Sequence, residues 1–202
     1  IGKHVGLFIS DHLESVVGPY LVDKFLLRKQ QPDYKRAYRL LASMQKEQPR
    51  NGYLNRLLAL CKPLADASGN RLPTFKATDI NGKSVSSASL SSAPVAVVYT
   101  WATWSYESTN LQQRLLDLHN RAEGKLQLLG ISLEPSLTTC KEEVSSQHLG
   151  WSVVCDEKLF EGMLVRKLGL TAVPDNILLQ RGRVVARGLS ADDLINRVEK
   201  LI

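Results

Sequence analysis

Sulfur is scarce in this chain: 202 residues hold only Cys61, Cys140 and Cys155. Three cysteines are too few for a disulfide scaffold, and their spacing matches no metal-ligand pattern. The four histidines, His4, His12, His119 and His148, are dispersed, and only His148 lies near a cysteine. No metal and no other cofactor is therefore expected. No apolar stretch approaches the roughly 18 residues needed to cross a bilayer, so no transmembrane segment is predicted. A signal-peptide pattern is also missing, and a chain that starts at Ile1 is expected to have a trimmed N-terminus. Acidic excess is absent as well: the net charge is +6, with 12 Lys and Arg against 6 Asp and Glu in residues 1–71 and 14 against 14 beyond. A nucleic-acid surface needs clustered cations with a readout element. Here the cations are scattered between apolar positions at helical spacing, which predicts solvated helix faces and no nucleic-acid partner.

What is present begins with helices. Pro19 suits the first turn of a helix through Tyr20, Leu21, Val22, Phe25 and Leu26. Asp33 is placed to cap a second helix, with Tyr34, Ala37, Tyr38, Leu41 and Met44 forming its inward stripe. Pro49-Arg50-Asn51-Gly52 ends it, and a third helix follows, with Leu54, Leu57, Leu58, Cys61 and Leu64 inward and Cys61 a small core residue. A polar linker at 65–72 separates a helical module, 1–70, from the rest, 71–202.

The period then changes. Asn81-Gly82 between strand-like segments signals a hairpin within 75–85. The continuous apolar run from Val95 to Thr100 reads as a central strand buried on both faces. A helix with Leu111, Leu115, Leu116 and Leu118 follows, then a strand at 126–133, a helix at 138–148, a strand at 151–155 and a helix at 159–168. Strands at 177–179 and 184–186 turn at Arg181-Gly182, and Ser190-Ala191-Asp192-Asp193 resembles a capping box that opens the last helix. This alternation predicts an α/β fold of three layers, a sheet with helices on both faces.

Between the first long strand and its helix stands Trp101-Ala102-Thr103-Trp104-Ser105-Tyr106-Glu107-Ser108. Each residue has an ordinary structural reading: Trp101 and Trp104 as core or rim aromatics, Ser105 or Ser108 as the helix cap, Pro174 as a trans turn proline. A serine hydrolase would need a base, and no histidine lies in the motif or in an obvious partner loop.

Taken with Leu72-Pro73-Thr74-Phe75, Ala172-Val173-Pro174-Asp175-Asn176 and Gly182-Arg183-Val184-Val185 in this order, the motif resembles the TlpA/ResA branch of thioredoxin-like thiol-disulfide oxidoreductases over about residues 70–202. The resemblance implies a thioredoxin-like domain preceded by a small helical module. It places Ser105 at the nucleophilic cysteine of a W-C-x-x-C motif, Ser108 at the resolving cysteine and Pro174 at a cis-proline. Trp104, Tyr106, Glu107, Val173 and Pro174 would then dock an extended peptide or protein substrate. Glu134 lies near where some members hold an acid close to the pair. In such enzymes a thiolate at a helix N-terminus attacks a substrate disulfide, and its partner one turn on resolves the mixed disulfide. Serine ends that cycle, because its oxygen can neither form nor exchange a disulfide.

Three readings follow. The chain is a redox-silent member that keeps the docking groove. Alternatively, it is an active oxidoreductase whose cysteines were deliberately replaced. Or the chemistry has moved to a second redox pair, Cys140 and Cys155, which a helix packed antiparallel to the next strand would bring to one sheet edge. The resemblance also implies a cis Val173–Pro174 bond and an extracytoplasmic, periplasmic or envelope-anchored location.

Overall fold

Among the described residues (2–29, 32–66 and 70–202 of the computed structural model), the helical periodicity of the first third becomes α1 (Gly2–Asp11), α2 (Gly18–Val22), α3 (Tyr34–Glu47) and α4 (Gly52–Asp66). Pro19 occupies the first turn of α2, where its missing N–H would have had no helical partner anyway. The helix predicted to continue through Leu26 instead widens into a π-turn over Asp23–Leu27, with Arg28 N–H bonded to Asp23 O at 3.0 Å. The Asp33 carboxylate accepts from the Arg36 N–H at 3.1 Å and starts α3. Ile9, Val22, Leu41, Met44, Leu54 and Cys61 close a core of their own. The chain divides by contacts into units Ile1–Ser68 and Gly69–Ile202. Of the predicted linker, Ala65 and Asp66 complete α4, while residues 67–69 lie outside the described residues, as does Ile1.

The second unit opens with a two-stranded antiparallel hairpin, β1 (Lys76–Thr78) and β2 (Ser84–Ser86). Asn81-Gly82 lies in its connection, but the loop is five residues long. The Asp79 carboxylate accepts from the N–H groups of Asn81 and Lys83, both at 2.9 Å, and Gly82 takes φ +81°. After α5 (Ser87–Ser91) come β3 (Val95–Trp101), α6 (Tyr106–Arg121), β4 (Leu126–Ser132), α7 (Leu137–Ser146), β5 (Ser152–Cys155), α8 (Met163–Leu168), β6 (Asn176–Gln180), β7 (Arg183–Arg187) and α9 (Ala191–Glu199). The main sheet has the order β5-β4-β3-β6-β7: β3, β4 and β5 run parallel, and β6 and β7 are antiparallel to their neighbours.

β3 is the middle strand, and all seven of its residues are buried. Its alternate side chains feed two cores. Val95, Val97, Tyr99 and Trp101 pack with residues of α6, α7 and α9, whereas Ala96 and Val98 pack with residues of α5 and α8. The fold is thus α/β with helices on both sides of a five-stranded sheet. Ser190 caps α9 by accepting from the Asp193 N–H at 3.1 Å.

The helix expected at 159–168 is broken. Leu159–Glu161 forms a single 3₁₀ turn, and α8 starts only after Gly162, whose ψ of 136° is extended. Gly162 packs so closely on Asp156 that a Cβ there would lie 2.6 Å from a carboxylate oxygen. At the opposite side of the sheet, Arg181 and Gly182 (φ +49° and +73°) turn β6 into β7, and a Cβ on Gly182 would lie 2.9 Å from the Ser91 carbonyl oxygen. Gly182→Ala therefore adds left-handed backbone strain to a main-chain clash. Urea unfolding should show a loss of about 1–3 kcal/mol.

Candidate active site

The carboxyl end of β3 delivers the motif. Trp101 is fully buried in the core, whereas Trp104 is 55% exposed and Tyr106 83% exposed, so one tryptophan is packing and the other is rim. The chain turns between Ala102 and Ser105, and Ser105 in extended conformation is the N-cap of α6. Its hydroxyl accepts from the Ser108 N–H at 3.3 Å. Ser108 has no exposed surface. Its hydroxyl accepts from the Ala102 N–H at 3.1 Å and reaches two carbonyls, Ala102 O at 3.0 Å and Ser105 O at 2.9 Å. With one proton to donate, it serves those two acceptors in turn. The bonds of both hydroxyls run to main chain, and neither serine has a histidine partner among the described residues. That arrangement satisfies the start of a helix and supplies no base for an alcohol nucleophile.

α6 is held over β3 by a buried chain of polar groups. Tyr99 O–H donates to Gln112 Oε1 at 2.9 Å and accepts from Trp151 Nε1–H at 3.1 Å. Burial in this network pushes the Tyr99 hydroxyl well above its ordinary pKa. Glu107, exposed in the first turn of α6, complements the positive end of the helix.

The loop 171–175 carries Val173 and Pro174, both half-buried, joined by a cis peptide bond. Thr100, buried on β3, ties this loop to the strand that bears the motif. Its Oγ1 donates to Ala172 O at 2.7 Å and accepts from the Asp175 N–H at 2.8 Å. The strand adds a main-chain bond, Thr100 N–H to Asp175 O at 3.0 Å. Asp175 accepts from the N–H groups of Thr171 and Asn176, each at 2.8 Å. Burial raises its carboxyl pKa, and those N–H groups oppose the shift. The sequence pointed to Val173 and Pro174 but not to Thr100, a single threonine ending an apolar run.

Glu134, buried just beyond β4, accepts from the Thr103 N–H at 2.5 Å, so this acid does sit against the motif loop. On the far side of the same residue, the Cys155 thiol approaches the Glu134 carbonyl oxygen at 3.8 Å. Cys140 is buried on α7, Cys155 is half-buried at the end of β5, both are free thiols, and Cys155 packs against the core cluster that holds Cys140. Among the described residues no cluster of His, Cys, Asp and Glu could hold a metal ion, and no helix is long and apolar enough to cross a membrane.

The chain matches no protein-family model and no curated protein. Its architecture does have solved counterparts. A thiol-disulfide oxidoreductase from Bacteroides fragilis shares 20% identity at a TM-score of 0.56, covering 65% of this chain and 99% of the other. A thiol:disulfide interchange protein of the thioredoxin family from Chlorobium tepidum shares 21% identity at a TM-score of 0.54, covering 68% and 99%. A secreted disulfide oxidoreductase from Mycobacterium tuberculosis shares 22% identity at a TM-score of 0.52, covering 63% and 96%. At these identities the likeness is one of fold: residues 70–202 have a thioredoxin-like α/β fold, a five-stranded sheet flanked by helices.

Proposed function

We propose that this chain carries a docking module of the TlpA/ResA thiol-disulfide oxidoreductase type, in which the exchange position is occupied by structural hydroxyls. The observation that carries the reading is Ser108. Where a resolving thiol would stand, a buried hydroxyl is committed to main-chain bonds at Ala102 and Ser105. The reading is supported by what surrounds it: an exposed Trp104 and Tyr106, an exposed Glu107, and a Val173–Pro174 loop clamped to β3 by Thr100. The partner is an extended peptide or protein segment, held by main-chain pairing along the loop and by the aromatic rim rather than by a mixed disulfide. The module works outside the cytoplasm, as the secreted structural counterpart does.

Titration of the chain with cysteine-free extended peptides by calorimetry tests this. Binding should occur without any thiol, and Trp104→Ala or Tyr106→Ala should each weaken it about 5- to 10-fold, because exposed aromatic anchors carry a large part of such interfaces. Both side chains are solvent-exposed, so unfolding midpoints should not move. Absence of binding, or binding indifferent to Trp104, would remove the docking role.

A further inference from the structure

Trp101, Ser132 and Cys155 stand in one row across the sheet, since Trp101 pairs with Ser132 in β3–β4 and Ser132 with Cys155 in β4–β5. The S-x-x-S loop and Cys155 therefore leave the carboxyl ends of parallel strands along the same edge, two strand spacings or roughly 10 Å apart. That edge is where open α/β sheets place their ligands.

The two thiols there are unequal. Cys140, from α7, has no exposed surface, whereas Cys155 keeps part of its side chain at the surface. Cys155 packs against the core cluster that holds Cys140, and its thiol donates to the Glu134 carbonyl oxygen at 3.8 Å. The turn that follows β5 carries Glu157 and Leu159, both at positive φ, 59° and 50°. Side chains rarely accept such backbone, and it concentrates at functional sites. This asymmetry, one accessible sulfur and one buried in the adjoining core, is what a nucleophile and a resolving thiol require.

We infer that Cys155 and Cys140 form a second thiol-disulfide exchange site, with Cys155 the nucleophile, Cys140 the resolving thiol and a disulfide the substrate. The Cys155 thiolate attacks one sulfur of R–S–S–R′, forming the mixed disulfide Cys155–S–S–R and releasing R′–S⁻, which takes up a proton. Cys140 then gives up its proton and attacks the Cys155 sulfur, forming the Cys140–Cys155 disulfide and releasing R–S⁻. Two electrons pass from the protein dithiol to the substrate disulfide, and a dithiol of the same chemical class in the reverse direction restores the reduced site. The electrostatics agree with this division of labour. Hydrogen bonding from Cys140 holds Cys155 below the ordinary thiol pKa against burial and the Glu157 carboxylate, and the same bond, with burial, pushes Cys140 up. This site is independent of peptide docking at the S-x-x-S loop, and either can fail without the other.

The test uses the whole reduced chain, treated separately with oxidised glutathione and with a cyclic peptide disulfide, and followed by mass spectrometry with proteolytic mapping. The chain should lose two hydrogens and yield one linked peptide pair joining Cys140 to Cys155, while Cys61, buried and pushed up to about 12, stays reduced. Cys140→Ser should instead accumulate a mixed disulfide on Cys155, and Cys155→Ser should lower the exchange rate at least 10-fold. Exchange with either reagent supports the site, and the faster one identifies a small-molecule or a protein source. Should a buried variant fold poorly, competitive alkylation of the unmodified chain still decides, because Cys155 must react at least 10-fold faster than Cys140 and Cys61. No Cys140–Cys155 linkage with either disulfide, or equal alkylation of all three thiols, overturns the proposal.

Discussion

Introducing cysteine at both Ser105 and Ser108 should give the motif loop the ability to reduce insulin. The change is best made in a Cys140→Ser, Cys155→Ser background, so that any activity belongs to the motif. Position 105 is the N-cap of a sixteen-residue helix, where unsatisfied N–H groups and the helix dipole favour an anion. The thiol placed there should titrate below the unperturbed value of about 8.5. Position 108 is sealed from solvent, as suits a resolving thiol that attacks only a neighbour. With Ser105→Cys alone, the mixed disulfide should form and persist, because nothing one turn on can release it. The unsubstituted motif should leave insulin at the uncatalysed rate in the same background. An ordinary thiol pKa at position 105, with no insulin reduction by the doubly substituted chain, would mean that the surroundings of the motif, and not only its two sulfurs, have lost the chemistry.

Thr100→Val should produce the second large effect. Valine keeps the shape of threonine but removes the hydroxyl that links Ala172 O and Asp175 N–H to β3. Two main-chain groups then lose their partner in a part-buried loop. Each such loss costs about 1–3 kcal/mol, so denaturant unfolding of the second unit should show a stability loss of about 2 kcal/mol or more. Peptide affinity should fall with it, since the clamped loop carries Val173 and Pro174. Thr100→Ser, which retains the hydroxyl, should recover most of both. An unchanged midpoint for Thr100→Val would show that the loop holds its place through the Thr100 N–H to Asp175 O bond alone.

Sequence patterns revealed what is local or periodic. The apolar run at 95–100 is the middle strand because only a strand buried on both faces needs to be apolar at every position. Asp33 and Ser190 marked helix starts because a carboxylate or hydroxyl at the N-cap satisfies a donor a few residues away. The features that escaped depend on distant partners. The break at Gly162, where a Cβ would lie 2.6 Å from an Asp156 carboxylate oxygen, is one such feature. Thr100 reads as one more β-branched strand residue until the fold brings residues 172 and 175 beside it. The motif loop was legible as a loop, yet the commitment of Ser108 to Ala102 O and Ser105 O depends on the turn between them. That Glu134 stands between the motif and Cys155 emerges only when β3, β4 and β5 are laid side by side.

The position of the motif at the end of β3 also decides where the entropy of recognition is spent. β3 is bonded along both edges, and its last residues keep their partners, Thr100 N–H with Asp175 O at 3.0 Å and Trp101 O with Leu133 N–H at 2.8 Å. The main chain that a ligand would meet is therefore preorganised by the interior of the sheet and loses little freedom on contact. What remains to be immobilised is the pair of exposed rings at Trp104 and Tyr106, at about 0.5–1.5 kcal/mol for each rotamer-rich side chain ordered, and the ligand itself. If the proposed docking holds, selection among ligands would fall chiefly on their own stiffness, and a segment already extended before it arrives would be favoured over one that must straighten on the surface.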